Sequence, residues 1–296
     1  MEFFNLNNGN KLPKICFGPG IPTRGMKFHS GIRIILDKIE MKKIERNYYK
    51  GIVSAIQNGA VFIDYSATYG REDIIAKAIK DLKIERNQIY LTTRVSNKSQ
   101  FQGNVRETAL RSIERFNVDY VDLLMFHWPV PEKYISTWEE LIKLQEEGVC
   151  KNIGVANCHQ HHLEKIIAET SVKPQVNQVE IHPLLSQKNL VGYCQSQNIQ
   201  MEAYTSLARM DERIVRLPVM KDLARKYQKS ISQLILRWHI QNGVIPIFRS
   251  FNENRQKENF NVFDFVISSE DMKKIDSINI NARLRYDPDN CDFSIL

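Results

Sequence analysis

No stretch of this sequence holds 18 apolar residues together, so nothing in it reads as a membrane-spanning helix. The opening MEFFNLNNGNK lacks a basic start followed by an apolar run, which argues against a secretory leader. There is no CxxC pair, and the five cysteines (Cys16, Cys150, Cys158, Cys194, Cys291) are odd in number and far apart. Reduced thiols in a cytoplasmic protein are expected, with no disulfide framework. No low-complexity segment, close repeat or Pro/Gly/Ser-rich linker interrupts the chain, so one domain over residues 1–296 is the simplest reading. What remains is 43% hydrophobic and 25% charged, the balance of a globular protein, which excludes disorder, collagen and coiled coil. The net charge of +7 is a mild excess that suits an anionic ligand as readily as a nucleic acid.

The hydrophobic rhythm gives the architecture. Phe3–Cys16 reads as two short strands around Asn7-Asn8-Gly9, a turn that tolerates positive φ. A charged helical text then runs to Ile56 and stops at Asn58-Gly59. Beyond it, short apolar runs alternate with amphipathic stretches such as EDIIAKAIKDL and NVRETALRSIERF. The runs are VFIDY from 61, IYLTTR from 89, YVDLLMFH from 120, NIGVAN from 152, QVNQVE from 175, IQMEAYT from 199 and VIPIFR from 244. Strand–helix alternation of this kind predicts a parallel sheet, and closure at eight strands gives a (β/α)8 TIM barrel with an N-terminal β-hairpin and extra helices; an open doubly wound sheet is the alternative. NVFDFVI (261–267) is the apolar run left for the eighth strand, and 205–243 has room for the additional helices.

In a parallel barrel the ligand meets the C-terminal ends of the strands. The runs close there with Asp64, Arg94, His127, Asn157, Gln178 with Glu180, Tyr204 and Arg249, and Tyr69 follows Asp64 in the first loop. Each alone has a structural explanation: a turn cap for Asp64, a satisfied core histidine for His127, a surface charge for Arg249. Together they predict one polar centre, because buried charge at several strand ends is costly unless paired.

The stretches NLNNGNKLPKICFG, FIDYSATYGREDIIAKAIK, LLMFHWP, NIGVAN, VNQVEIHPLLSQKNLVGYCQSQNI and VIPIFRSFNENRQKENF, in this order and spacing, resemble the aldo-keto reductases of bacterial type. The absence of a Gly-rich dinucleotide turn agrees with that resemblance, since the family binds NADPH extended across the top of a barrel. The resemblance implies reduction of an aldehyde or ketone by hydride transfer. It makes Tyr69 the proton donor, His127 the residue that orients the carbonyl oxygen, Asp64 the charge partner and Arg94 the occupant of the catalytic lysine position. It implies that Asn157 and Gln178 bind the carboxamide, that Tyr204 stacks on the nicotinamide, and that Thr205 and Leu207 lie on the loop beside the pyrophosphate. Arg249, Ser250 and Arg255 are implied for the 2′-phosphate, Glu258 and Asn259 for adenine, and Asn252 for an added contact.

The departures bear on function. Arginine for lysine is not conservative, because a guanidinium is wider and cannot lose its proton. Two readings follow: a working, specialised reductase, or a barrel that binds NADPH as a sensor with weakened turnover. Ala156 and Thr205-Ser206 stand where the family has serine and Ser-Pro. The pocket keeps Trp128, but Pro19 and Ser96 occupy positions where the family often carries aromatic residues, which implies a wider or more polar pocket. An insertion at Ile21–Ile39 brings Arg24, Lys27, His29 and Arg33, read either as a lid for a polar or anionic substrate or as a solvated charged helix.

His159-Gln160-His161-His162 matches no zinc spacing and reads as solvated loop, so no metal is expected. MKKIERNYYK (41–50) has the apolar spacing of a packed helix and not the basic stripe of a nucleic-acid binder. The expected partner is a small-molecule carbonyl substrate, with neither nucleic acid nor membrane, and the expected state is a monomer or weak homodimer.

Overall fold

The structure, a computed structural model, describes residues 2–21 and 32–294, the side chains of 32–40 excepted. The chain opens with β1 (Phe3–Asn5) and β2 (Lys11–Pro13), paired antiparallel around a turn in which Gly9 takes φ +86°. The amide of Leu6 donates to the Asn10 carbonyl at 2.8 Å and closes this hairpin. Barrel strands β3 (Cys16–Phe17), β4 (Phe62–Asp64), β5 (Tyr90–Val95), β6 (Leu123–Phe126), β7 (Ile153–Ala156), β8 (Val176–Glu180), β9 (Gln200–Tyr204) and β10 (Val244–Phe248) follow. They form a closed parallel barrel in sequence order, with β10 returning to pair with β3. Helices α1 (Ile32–Gln57), α2 (Glu72–Asp81), α3 (Asn97–Gln102), α4 (Val105–Phe116), α5 (Tyr134–Glu146), α6 (Gln160–Thr170) and α7 (Lys188–Ser196) lie in the first six connections. The last connection carries α8 (Glu212–Val215), α9 (Pro218–Tyr227) and α10 (Ile231–Gln241), and α11 (Glu253–Phe260) and α12 (Ser269–Asp276) follow β10.

The eighth strand is therefore Cys16–Phe17 and not NVFDFVI. Residues 261–267 are irregular, and α10 side chains satisfy their backbone in place of a strand partner. Gln233 donates to the Asn261 carbonyl at 2.8 Å, Arg237 to Val262 at 3.3 Å, and Gln241 both donates to the Ile267 carbonyl (2.9 Å) and accepts from its amide (2.8 Å). Val262 and Ile267 are buried in the outer core, which explains the apolar text.

Two apolar layers hold the barrel. Inside it, Leu6 and Leu12 of the hairpin pack with Cys16, Phe62, Leu123, Met125, Val176, Ile245 and Ile247. The hairpin turn is tied to the barrel base: Asn8 and Asn10 both donate to Asn152 Oδ1, at 2.8 and 2.9 Å, and Asn7 donates to the Pro174 carbonyl at 2.9 Å. The base is thus plugged by apolar side chains, which leaves the polar strand ends for the opposite mouth. Outside, Phe116, Trp138, Leu163 and Leu234 seat the helices on the strands. In α1, Tyr48 is buried with its hydroxyl donating to the Gly20 carbonyl at 2.6 Å, so the 41–50 segment is a packed helix. Of the insertion, Arg24, Lys27, His29 and the side chain of Arg33 lie outside the described residues.

Candidate active site

At the mouth, four strands contribute one buried network. Arg94 on β5 pairs through Nη2 with Asp64 at the end of β4, and its Nη1 donates to Gln178 Oε1 on β8 at 2.7 Å. Gln178 Nε2 in turn donates to Asp64 Oδ1 at 3.1 Å and to Glu202 Oε2 on β9 at 2.8 Å. All four side chains are buried. One guanidinium faces two carboxylates, and they do not share it equally. Burial, with Asp64 adding repulsion, pushes the Glu202 carboxyl up to about 8, so it keeps its proton at neutral pH. Burial also raises Asp64, against the pull of Arg94 and the hydrogen bond from Gln178. Arg94 resists its own burial because Asp64 stands beside it, and its Nε has no hydrogen-bond partner.

Sequence reasoning passed over Glu202. The signal was available: a glutamate in the middle of an apolar strand, with alternation that points it inward. Gln178 has both its donor and its acceptor engaged inside the network.

Tyr69 ends a single 3₁₀ turn, Ala67–Tyr69, that Gly70 stops at φ +65°. Ser66 starts the turn, with its carbonyl accepting from the Tyr69 amide at 2.9 Å, and the Tyr65 ring braces Tyr69 edge-on at 5.1 Å. Burial raises the Tyr69 phenol above its ordinary range, and Arg94 draws it back down. His127 closes β6. Burial, with the positive charge of Arg94 and Arg285, pushes it down to about 3, so the ring is neutral throughout the physiological range. Beside it the Tyr204 hydroxyl donates to Asn157 Oδ1 at 2.7 Å, and Asn157 Nδ2 donates to the His127 carbonyl at 2.8 Å.

These groups open into a cleft with two arms that share Asp64, Tyr69, Tyr204, Thr205 and Arg209. One arm, about 420 Å³, runs past Gly18, Gly20, Leu207 and Phe248 to Arg249. The other, about 490 Å³, is walled by Arg94, His127, Trp128, Asn157, Arg285 and Tyr286. A wider hollow of about 620 Å³ lies elsewhere, among Lys188, Trp238 and Asp276, away from the polar centre. In the first arm the glycines matter: a Cβ on Gly18 would meet Ile247 at 2.7 Å, and one on Gly20, at φ +67°, would meet the Arg249 guanidinium at 3.1 Å. The loop that follows β9 is strained, with Thr205, Ala208, Arg209 and Met210 all at positive φ, which is costly for side-chain-bearing residues and typical of ligand loops.

Two pocket residues expected from sequence are not in the wall among the described residues. Pro19 is buried and its glycine neighbours face the first arm instead; Ser96 turns its hydroxyl to accept from the Ser99 amide at 3.0 Å and caps α3. Past β10, Asn252 caps α11 by accepting from the Arg255 amide at 3.0 Å, and Ser250 Oγ accepts from the Asn252 amide at 3.2 Å. Arg249 and Arg255 are exposed, Glu258 is half-buried and Asn259 is buried.

Arg285 and Tyr286 come from the C-terminal tail, which sequence analysis credited with no site residue. Glu180 holds that tail down, accepting from the amides of Leu284 at 2.7 Å and Arg285 at 3.2 Å while His182 sits at 3.0 Å from the same carboxylate. Farther along, His159 Nδ1 lies 2.7 Å and His161 Nε2 3.3 Å from Asp289, so this run is a tail contact and not solvated loop. Arg283 donates to His159 Nε2 at 3.0 Å, which leaves the ring proton on Nδ1 facing Asp289.

The chain and the closed barrel it forms have counterparts among known proteins. The sequence model of the Aldo/keto reductase family matches residues 40–280. Glyoxal reductase of Bacillus subtilis is 38% identical over 270 residues, 90% of this chain and 97% of that protein. Methylglyoxal reductase of Escherichia coli is 37% identical over 240 residues, 80% of this chain and 86% of the other. Among solved structures, an aldo/keto reductase from Brucella melitensis superposes with a TM-score of 0.82 at 32% identity, covering 94% of this chain and 99% of its own. A Bombyx mori aldo-keto reductase in complex with NADP gives 0.84 at 27% identity, covering 97% and 96%. With the family pattern spanning most of the barrel and these relatives aligned over nearly their full length, the chain belongs to the aldo/keto reductase family.

Proposed function

We propose that the protein reduces an aldehyde or ketone to the alcohol with NADPH, using Tyr69 as the proton donor. The observation that carries this is the convergence of Tyr69, neutral His127 and the Asp64–Arg94 pair on one cleft. The donor set of the first arm fits a phosphorylated dinucleotide. Gly18 and Gly20 let the backbone of this arm pack closely against Ile247 and Arg249, where a Cβ would intrude, and Arg249, Ser250 and Arg255 gather by the start of α11, where arginine suits a phosphate through parallel charge-assisted bonds. Glu258 and Asn259 on α11 are the residues for adenine, Asn252 lies beside them, and Thr205 and Leu207 flank the pyrophosphate. Tyr204 offers its ring to the nicotinamide, with Asn157 and Gln178 nearest its carboxamide. NADPH, when bound, supplies the hydride.

The chain's own work is at the carbonyl oxygen. Tyr69 is protonated at neutral pH, as an ordinary phenol is, and burial keeps its pKa above that range, so its O–H donates to that oxygen; the neutral imidazole of His127 adds a second donor, its N–H. As negative charge develops there, the proton passes from Tyr69, and the fixed charge of Arg94 stabilises the phenolate left behind. Arg94 cannot relay a proton, so Tyr69 recovers its own from solvent. Asp64 and Gln178 hold the guanidinium in place, and protonated Glu202 leaves Asp64 as its only anionic partner among the described residues. Trp128 walls the substrate arm. The test is loss of NADPH absorbance with a panel of aldehydes, ketones and oxo acids.

The second reading, an NADPH-binding protein with weakened turnover, draws on the tight engagement of Gln178 and Arg94 with Asp64. It predicts NADPH binding without consumption. The same panel, run beside an NADPH titration, separates the two.

A further inference from the structure

We propose that Arg285 makes this a reductase of carbonyl substrates that carry a carboxylate, in preference to uncharged aldehydes. The inference rests on the reductase reading above and adds to it a class of substrate. The second arm of the cleft is lined by Arg94, Arg209 and Arg285 against the single carboxylate of Asp64, with His127 neutral. These cations are not equivalent. Arg94 is spent, buried and bound to Asp64 and Gln178. Arg209 is common to both arms. Arg285 lines the second arm only, beside Trp128 and Tyr286, and its guanidinium makes no hydrogen bond or ion pair among the described residues.

The acids near it are already engaged elsewhere. Glu180 accepts the backbone amides of Leu284 and Arg285 and faces His182; Asp287 lies 3.5 Å from Arg283; Asp289 faces His159 and His161. The same two amide bonds from Glu180 fix the backbone from which the Arg285 side chain reaches the cleft, so the charge is presented from an anchored segment. Its field is felt at the reaction centre, since it pulls down the pKa of both Tyr69 and His127. An unspent planar fork at the rim of a half-apolar pocket is matched by a carboxylate, which it binds bidentately. The phosphate-binding cations lie along the other arm, toward Arg249, so an anion at Arg285 does not compete with the cofactor's phosphates.

The experiment compares kcat/KM for succinic semialdehyde and pentanal, aldehydes of similar length with and without a terminal carboxylate, in wild type, Arg285→Ala and Arg285→Lys. Wild type is expected to favour the carboxylate. Arg285→Ala should lower kcat/KM for succinic semialdehyde by about tenfold more than for pentanal, because both aldehydes share any change in the field at Tyr69 and only the carboxylate loses its charge-assisted contact. The loss should fall mainly in KM and shrink at high ionic strength, and Arg285→Lys should recover part of it. If wild type reduces both aldehydes and the Arg285→Ala ratio matches wild type, the inference is overturned and the reductase reading stands. If neither aldehyde is reduced, that reading fails, and saturation-transfer NMR with 4-carboxybenzaldehyde decides the site separately: equal binding to wild type and Arg285→Ala overturns the inference, and loss of binding in the variant supports it.

Discussion

Arg94 and Gln178 meet at 2.7 Å across the barrel interior, from strands β5 and β8. Gln178 also donates to Asp64 and Glu202, so the guanidinium is held by an amide whose own donors are both engaged with carboxyl groups. The cation is thereby fixed in position and permanently charged, where a lysine would be a mobile point charge able to lose its proton.

Replacing the proposed proton donor isolates its contribution. Tyr69→Phe should lower kcat/KM by roughly a hundred- to ten-thousand-fold, the range for a lost general acid, with NADPH affinity unchanged. Stopped-flow turnover and a fluorescence titration of NADPH check the two halves.

Glu202 gives a pH signature. Its folded pKa of about 8 lies above its ordinary 4.5, so the folded state holds the extra proton and stability falls as pH rises between these values. Melting temperature measured over that window should decline in wild type and flatten in Glu202→Gln, which fixes the neutral form. Parallel curves would assign the trend to other groups.

The cofactor end makes a selective prediction. Arg249→Ala should weaken NADPH binding by about ten- to a hundredfold, as expected for the loss of charge-assisted bonds to a phosphate, and leave NADH binding nearly as it was. Equal losses for both nucleotides would remove Arg249 from the 2′-phosphate.

The tail depends on Glu180. Burial works to raise this carboxyl, but His182 and the Leu284 and Arg285 amides outweigh it and hold the pKa low. Its contribution is therefore complete above the ordinary carboxylate range and is lost as pH falls through the lower folded value. In Glu180→Ala, hydrogen exchange at the amides of Leu284 and Arg285 should quicken while the barrel strands stay protected.

Much of this was legible in the sequence because strand ends in a parallel barrel are marked by a polar residue after an apolar run. Asp64, Arg94, His127, Asn157, Gln178 and Tyr204 all announce themselves that way, and all line the cleft. The eighth strand escaped notice because Cys16–Phe17 is too short to show a period, whereas residues 261–267 carry a strand-like text that α10 side chains hold in an irregular path. Arg285 and Tyr286 carry no local signal. They reach the site because residues far away in sequence capture the tail: Glu180 takes the amides of Leu284 and Arg285, and the Leu184 carbonyl takes that of Ala282. The His159 cluster is similar: its partner Asp289 is 130 residues away.

The central claim is that Arg94 is an adapted part of a working reductase, and the most direct test is NADPH consumption by wild type and Arg94→Lys side by side on the carbonyl panel. Wild type should turn over, and the lysine variant should be no better, because the Asp64–Gln178 cradle is shaped for a guanidinium. Turnover by the lysine variant alone would contradict the claim and leave the wild-type barrel a binder of NADPH.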